Sequence, residues 1–146
     1  MLRLYPRDWY TWRMNGFREV EHTADWQLDV WGESLAALFE QAALGMDALS
    51  GAVYGDFIGE ETLILEAADP ESLLVVFLSE LLYWESERGL AGVAFSLEVA
   101  AFRLVARVRL ARLLSREKEI KAVTFHNLAV TQGEDGLWRV SIVFDV

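Results

Sequence analysis

The sequence contains no cysteine. Disulfides, zinc–thiolate sites and cysteine nucleophiles are therefore excluded, and a reducing cytoplasm is the expected location. No apolar run approaches the ~20 residues of a membrane span. The first residues have no apolar core followed by a small-residue cleavage site, so no signal peptide is expected. Histidine is scarce: His22 and His126 are the only two. Each is a candidate proton carrier, but two histidines at unknown separation define no mechanism. The glycines between residues 51 and 61 are not followed by Lys-Ser/Thr, so they form no phosphate loop. Basic residues are also in deficit. Lys and Arg number 13 against 23 Asp and Glu, a net charge of −10. That balance opposes general affinity for phosphate backbones and any stable DNA binding.

What is present is a large apolar complement. Hydrophobic residues make up 53% of 146 residues, a length that suggests one domain. A chain of this size buries roughly 68–70% of the surface its unfolded form exposes, so its core needs no staples. The charge is uneven. Seven of the 13 basic residues lie between Arg103 and Lys121, while 17 of the 23 acidic residues lie between Glu19 and Glu98. This reads either as an ordinary solvated surface or as a basic edge able to face RNA or an acidic partner.

Residues 1–16 combine Tyr5, Trp9, Tyr10 and Trp12 with Arg3, Arg7 and Arg13, and show no period. They are read as an N-terminal extension that docks its aromatics or as a misassigned start, with the domain proper at residues 17–146. Residues 17–20 read as a strand. In residues 26–31 Trp26, Leu28 and Val30 alternate with Gln27, Asp29 and Trp31, the pattern of a half-buried strand. Ser34 is placed to cap a helix. Leu35, Leu38, Phe39, Ala42, Ala43, Met46 and Leu49 then form one helical stripe, and Gly51 suits its left-handed end.

Residues 51–61 read as a loop and 62–67 as a strand. Asp69-Pro70-Glu71 is a strong helix start, with Asp as cap, Pro fixing the first-turn φ and Glu at the positive helix end. That helix turns Leu74, Phe77, Leu78, Leu81 and Leu82 inward and stops near Gly89. Residues 93–100 and 102–110 read as strands, the second with Phe102, Leu104, Ala106, Val108 and Leu110 opposite Arg103, Arg107 and Arg109. Residues 112–119 are a charged connection. Residues 120–125 and 128–131 read as short strands, 133–136 as a turn and 137–146 as the last strand. The expected class is α+β: a two-layer sandwich with two long helices on one side of a mixed, largely antiparallel sheet.

Candidate chemistry lies at three places. Glu21-His22-Thr23-Ala24-Asp25 packs polar atoms between two strands, where they either serve a function at a sheet rim or satisfy a turn. Asp145 stands beside Val146, whose α-carboxylate adds a second hard oxygen group. With Asp25 this gives an all-oxygen set of the kind that suits Ca²⁺ or Mg²⁺, although the sequence alone does not bring Asp25 to Asp145. Lys121 lies in the strand-like run Ile120-Lys121-Ala122-Val123, where a structural lysine would simply snorkel outward.

Four separated stretches resemble the archease family, in the right order. They are His22-Thr23-Ala24-Asp25 with the following Gly32-Glu33-Ser34-Leu35 and helix, Leu78-Ser79-Glu80-Leu81-Leu82-Tyr83, Glu119 to Leu128, and Val143-Phe144-Asp145-Val146. The resemblance implies a divalent ion, Ca²⁺ or Mg²⁺, on Asp25, Asp145 and Val146. It implies a functional role for Lys121, beside which His22 and His126 are taken as further candidates for ligase activation. It also implies an accessory protein of an RtcB-type RNA ligase, promoting guanylylation and multiple turnover in tRNA splicing and RNA repair. Such a protein is not itself an enzyme, and RNA is reached only through the ligase. The connection at residues 112–118 lacks the histidine often found there in archeases, so the resemblance carries no role for it. Two other readings are a small metal-dependent phosphoesterase-like hydrolase using Asp25, Asp145 and a histidine, and a metal-free chaperone-like scaffold.

Overall fold

Period-two burial sets the last strand: Val140, Ile142 and Phe144 are buried, while Arg139, Ser141 and Asp145 are exposed. The same alternation buries Leu28 and Val30 in the second strand. The computed structural model describes residues 14–20 and 26–146. Its elements in order are β1 (Gly16–Val20), β2 (Trp26–Gly32), α1 (Leu35–Ser50), β3 (Val53–Glu66), α2 (Pro70–Tyr83) with a π turn over Trp84–Arg88, β4 (Leu90–Val99), β5 (Arg103–Ser115), β6 (Ala122–Val123), β7 (Thr131–Gln132) and β8 (Trp138–Asp145).

The α+β class with two long helices holds. The strands, expected as one sheet, form two, and every pairing among the described residues is antiparallel. The first sheet has the order β1-β2-β8-β6, with β7 on the same edge of β8 as β6; the second is β3-β5-β4. Helix α1 packs on β1, β2 and β8 of the first sheet and on β4 of the second, and α2 touches β6 and β3. Both helices thus join the two sheets into one core. Phe39 of α1 stacks on Phe77 of α2 with centroids 6.1 Å apart, and Phe77 meets Phe95 of β4 edge-on at 6.0 Å. Full burial of a phenylalanine contributes about 1.5–3 kcal/mol.

Local signals place the helices. Ser34 Oγ accepts from the Ala37 N–H at 3.0 Å, and Asp69 Oδ1 accepts from the Ser72 N–H at 2.7 Å. Each satisfies a donor that the first helical turn leaves unpaired. Gly51 ends α1 at φ 69°. Gly45 is needed for another reason: a Cβ there would lie 2.6 Å from Leu28 Cδ2 and 2.8 Å from Phe17 Cγ, so its absence lets α1 approach β1 and β2.

Four further expectations change. Residues 51–61 are not a loop: β3 starts at Val53, and irregular register between Tyr54, Phe57 and Gly59 absorbs the glycines as bulges. Likewise β5 runs on through residues 112–115, because β3 and β4 extend alongside it. Phe102 does not face inward. It is 61% exposed in the turn before β5, where its carbonyl accepts from the Ala67 N–H. The short strands expected at 120–125 and 128–131 shrink to two residues each. Between them the chain turns at Leu128 N–H to Phe125 O, and the Val130 N–H donates to Glu71 Oε2 on α2 instead of to β8.

Candidate functional site

The alternation that buries Phe144 turns the Asp145 carboxylate to solvent at the end of β8. β8 is flanked on both sides there. Trp26, which opens β2, lies opposite Phe144, and on the other side Val123 faces Phe144 while Ala122 faces Asp145. The Lys121 N–H donates to the Asp145 carbonyl at 2.7 Å. Lys121 is exposed, held between buried Ile120 and the first residue of β6. Two of the expected site residues therefore adjoin through their backbones.

His126 follows in the turn beyond β6. The Thr124 N–H and Oγ1 both donate to the Val143 carbonyl, at 3.0 and 2.9 Å, and Thr124 Oγ1 accepts from the His126 N–H at 3.3 Å. The His126 ring meets Asn127 Nδ2 at 3.3 Å, and Asn127 has a positive φ of 50°. Among the described residues, no hydrogen bond or ion pair links His126 to the side chain of Lys121 or Asp145. His22 and Asp25 lie outside the described residues. Among the described residues no three His, Asp or Glu side chains gather as a metal set.

A cleft of about 290 Å³ opens between the end of α2 and β6, with Ser79, Tyr83, Ser86, Glu119 and Lys121 in its walls. A larger groove of about 630 Å³ crosses the outer face of the first sheet over Arg18, Asp29, Trp31 and Ser141, walled by Asn127 and Thr131. Neither Lys121 nor Asp145 lines that groove. Its polar groups are mutually satisfied at Asp29, which accepts from Ser141 Oγ at 2.6 Å and from Arg18 and Gln27 at 3.3 Å. Part of the expected basic edge is already engaged. Arg107 pairs with Glu60 at 2.9 Å, Arg109 lies over the Phe57 ring and Arg116 pairs with Glu85.

The connection that carries Lys121 is tied at nearly every residue. Arg116 Nη1 meets Glu85 Oε1 at 3.1 Å and its Nη2 meets Glu119 Oε2 at 3.5 Å. The Glu117 and Lys118 N–H groups both donate to the Ser50 carbonyl, at 2.8 and 3.1 Å. Lys118 Nζ sits 3.9 Å from the centre of the Trp26 ring. Beneath Arg116, buried Glu85 and Asp47 are hydrogen-bonded to each other, and the Tyr54 hydroxyl donates to Asp47 Oδ2 at 2.5 Å. Burial pushes the Glu85 carboxyl up to about 9, with Asp47 adding to the rise and Arg116 opposing it. Burial also raises Asp47, against hydrogen bonds from Glu85 and Tyr54 and the charge of Arg116. The pair therefore holds a proton at neutral pH. The sequence reading missed Asp47, Tyr54, Glu85 and Arg116. One signal was available: Asp47 follows Met46 and lies four residues after Ala43, at the edge of the apolar stripe of α1.

The chain matches the model of the Archease protein family (MTH1598/TM1083) over residues 17–146. It belongs to the archease family. It is 34% identical to protein archease of Methanosarcina acetivorans over 142 residues, covering 89% of this chain and 95% of the relative. It is 32% identical to protein archease of Methanosarcina barkeri, with the same coverage. The solution structure of Methanobacterium thermoautotrophicum protein 1598 superposes with a TM-score of 0.67 at 26% identity, over 90% of this chain and 99% of that one. A crystal structure of a Thermotoga maritima archease, named as a possible chaperone, shares the fold with a TM-score of 0.64 at 22% identity, over 88% of this chain and 96% of that one. No helix among the described residues is long and apolar enough to cross a membrane.

Proposed function

We propose that this archease is a non-enzymatic activator of an RtcB-type RNA ligase, acting in the cytoplasm in tRNA splicing and RNA repair. The observation that carries the reading is the 2.7 Å bond from the Lys121 N–H to the Asp145 carbonyl. It fixes the expected lysine beside one of the expected metal ligands, on an exposed strand end.

A divalent ion, Ca²⁺ or Mg²⁺, is proposed on Asp25, Asp145 and Val146. The donors are all oxygen, which suits a hard cation. The Asp145 carboxylate is exposed and has no hydrogen bond or ion pair among the described residues, so binding an ion displaces no structural contact. Asp25 precedes Trp26 in the chain, and Trp26 is registered against Phe144, which precedes Asp145. When bound, the ion supplies positive charge that attracts phosphate oxygen. Lys121 contributes a second cation from the protein itself. The rim would be presented to the ligase, and RNA would be met only through it.

The test is ligation of RNA halves at substoichiometric ligase, with and without this protein. The reading expects faster guanylylation and many turnovers per ligase when the protein is added. An unchanged ligase would contradict it. Hydrolysis of phosphate esters by this protein alone would favour the hydrolase reading instead.

A further inference from the structure

Away from the rim, the densest chemistry among the described residues is the buried cluster Asp47–Tyr54–Glu85–Arg116. Each member comes from a different part of the fold: the last turn of α1, the start of β3, the π turn after α2, and the first residue after β5. Its only cation, Arg116, has a side chain just 19% exposed, against 2% for Glu85. A planar guanidinium can engage two carboxylates at once, and here it spans Glu85 inside and Glu119 outside. Glu119 is two residues from Lys121. The neighbouring Glu117 and Lys118 amides are held by the Ser50 carbonyl, and Ser50 Oγ donates back to the carbonyl of Asp47. The same cluster therefore holds the start of the connection from its side chains and from its backbone. Buried Ile120 and the Lys121–Asp145 bond continue the same tethered run to the rim.

We propose that Arg116 is a positioning residue, which anchors the 116–121 connection on the buried Glu85–Asp47 pair and so fixes Lys121 at the rim. Its bearing on activity rests on the reading that Lys121 works on the ligase; the anchoring itself does not.

Amide hydrogen exchange at neutral pH, read by NMR, tests the anchor in the full chain. Arg116→Met removes the bridge. Arg116→Lys keeps a charge over the buried carboxyls, and so protects the fold, but cannot span Glu85 and Glu119 with one ammonium. Both variants should raise exchange at Glu117, Lys118 and Lys121 by about tenfold or more, while Ala106 and Ile142 stay protected as in the parent protein. Unchanged exchange at those three amides, or an equal rise at Ala106 and Ile142, overturns the proposal. If Arg116→Met fails to fold, Arg116→Lys alone decides. Ligase stimulation by the same variants gives the second arm. At saturating protein the maximal stimulation should drop about fivefold, the pattern of a misplaced group and not of weaker docking. Full maximal stimulation by a variant with a loosened connection overturns the functional half. A parent protein that does not stimulate at all defeats the ligase reading, and the exchange result still judges the anchor.

Discussion

Lys121 and Asp145 are joined by their backbones and not by their side chains: the Lys121 N–H donates to the Asp145 carbonyl at 2.7 Å. Their functional groups are thereby left for other partners, while the geometry between them is set by that bond and by the connection that leads into Lys121. Substituting either side chain should therefore leave the ladder in place. Lys121→Ala and Asp145→Ala are each expected to change unfolding free energy by less than about 0.5 kcal/mol in urea titrations. A loss of several kcal/mol would show that these side chains carry structure.

Gly45 sets helix propensity against packing. Alanine is favoured over glycine in a helix interior by roughly 1 kcal/mol. Yet a Cβ there would stand 2.6 Å from Leu28 Cδ2 and 2.8 Å from the Phe17 ring. Overpacking of that kind costs about 1–3 kcal/mol. Gly45→Ala is expected to be net destabilising in thermal or urea melts, and a stabilised variant would mean that α1 can lift from β1 and β2 at no cost.

Phe39→Ala removes a ring with no exposed surface that stacks on Phe77. The expected loss is about 3–5 kcal/mol. Any fall in ligase stimulation should track that loss and disappear when the assay is cooled into the range where the variant is folded.

The Asp47–Glu85 pair makes a pH prediction. The folded state keeps the Glu85 proton up to about 9, whereas an unfolded chain releases it near 4.5. Between those values the folded state binds more protons, so stability falls as pH rises. The contribution is full below about 4.5 and is lost on passing 9. The slope reaches at most about 1.4 kcal/mol per pH unit for one proton. Glu85→Gln should flatten melting temperature across that window. The exposed Asp135 works in the opposite sense but elsewhere. Its hydrogen bond from Arg139 holds it near 2, so its contribution is lost only as pH falls below the usual carboxylate range.

These features differ in how far the sequence discloses them. The helices were legible because their signals are local: Ser34 caps, Asp69-Pro70 starts and Gly51 stops within a few residues of the turn they control. The Arg103–Leu110 alternation was legible for the same reason. The division into two sheets was not, because β8 finds β2 across more than half the chain, as the Ser141–Asp29 hydrogen bond at a separation of 112 residues shows. The expected loop at 51–61 failed because glycines that read as punctuation sit in bulges, held by a β5 partner that local pattern does not reveal. For the candidate site, the sequence singles out Lys121 and Asp145 but does not disclose their junction, which rests on a ladder two residues long. Arg116 was not, since it reads as one charge in a charged stretch until Glu85 and Asp47 are folded beneath it.

If the rim holds a divalent ion, millimolar Ca²⁺ or Mg²⁺ should raise the melting temperature, because a ligand bound only by the folded state stabilises it by mass action. Asp145→Ala and Asp25→Ala should each remove the rise. A melting temperature that ignores the ion in the parent protein would dismiss the metal.

The most direct measurement is ligase guanylylation and multiple-turnover ligation with the Lys121→Ala, Asp145→Ala double variant, after its fold has been verified by circular dichroism and a melt. The rim reading predicts a folded protein that no longer stimulates the ligase. Full stimulation by that folded double variant would contradict it and move the working surface elsewhere, with the arginine-bearing face of β5 the next place to look.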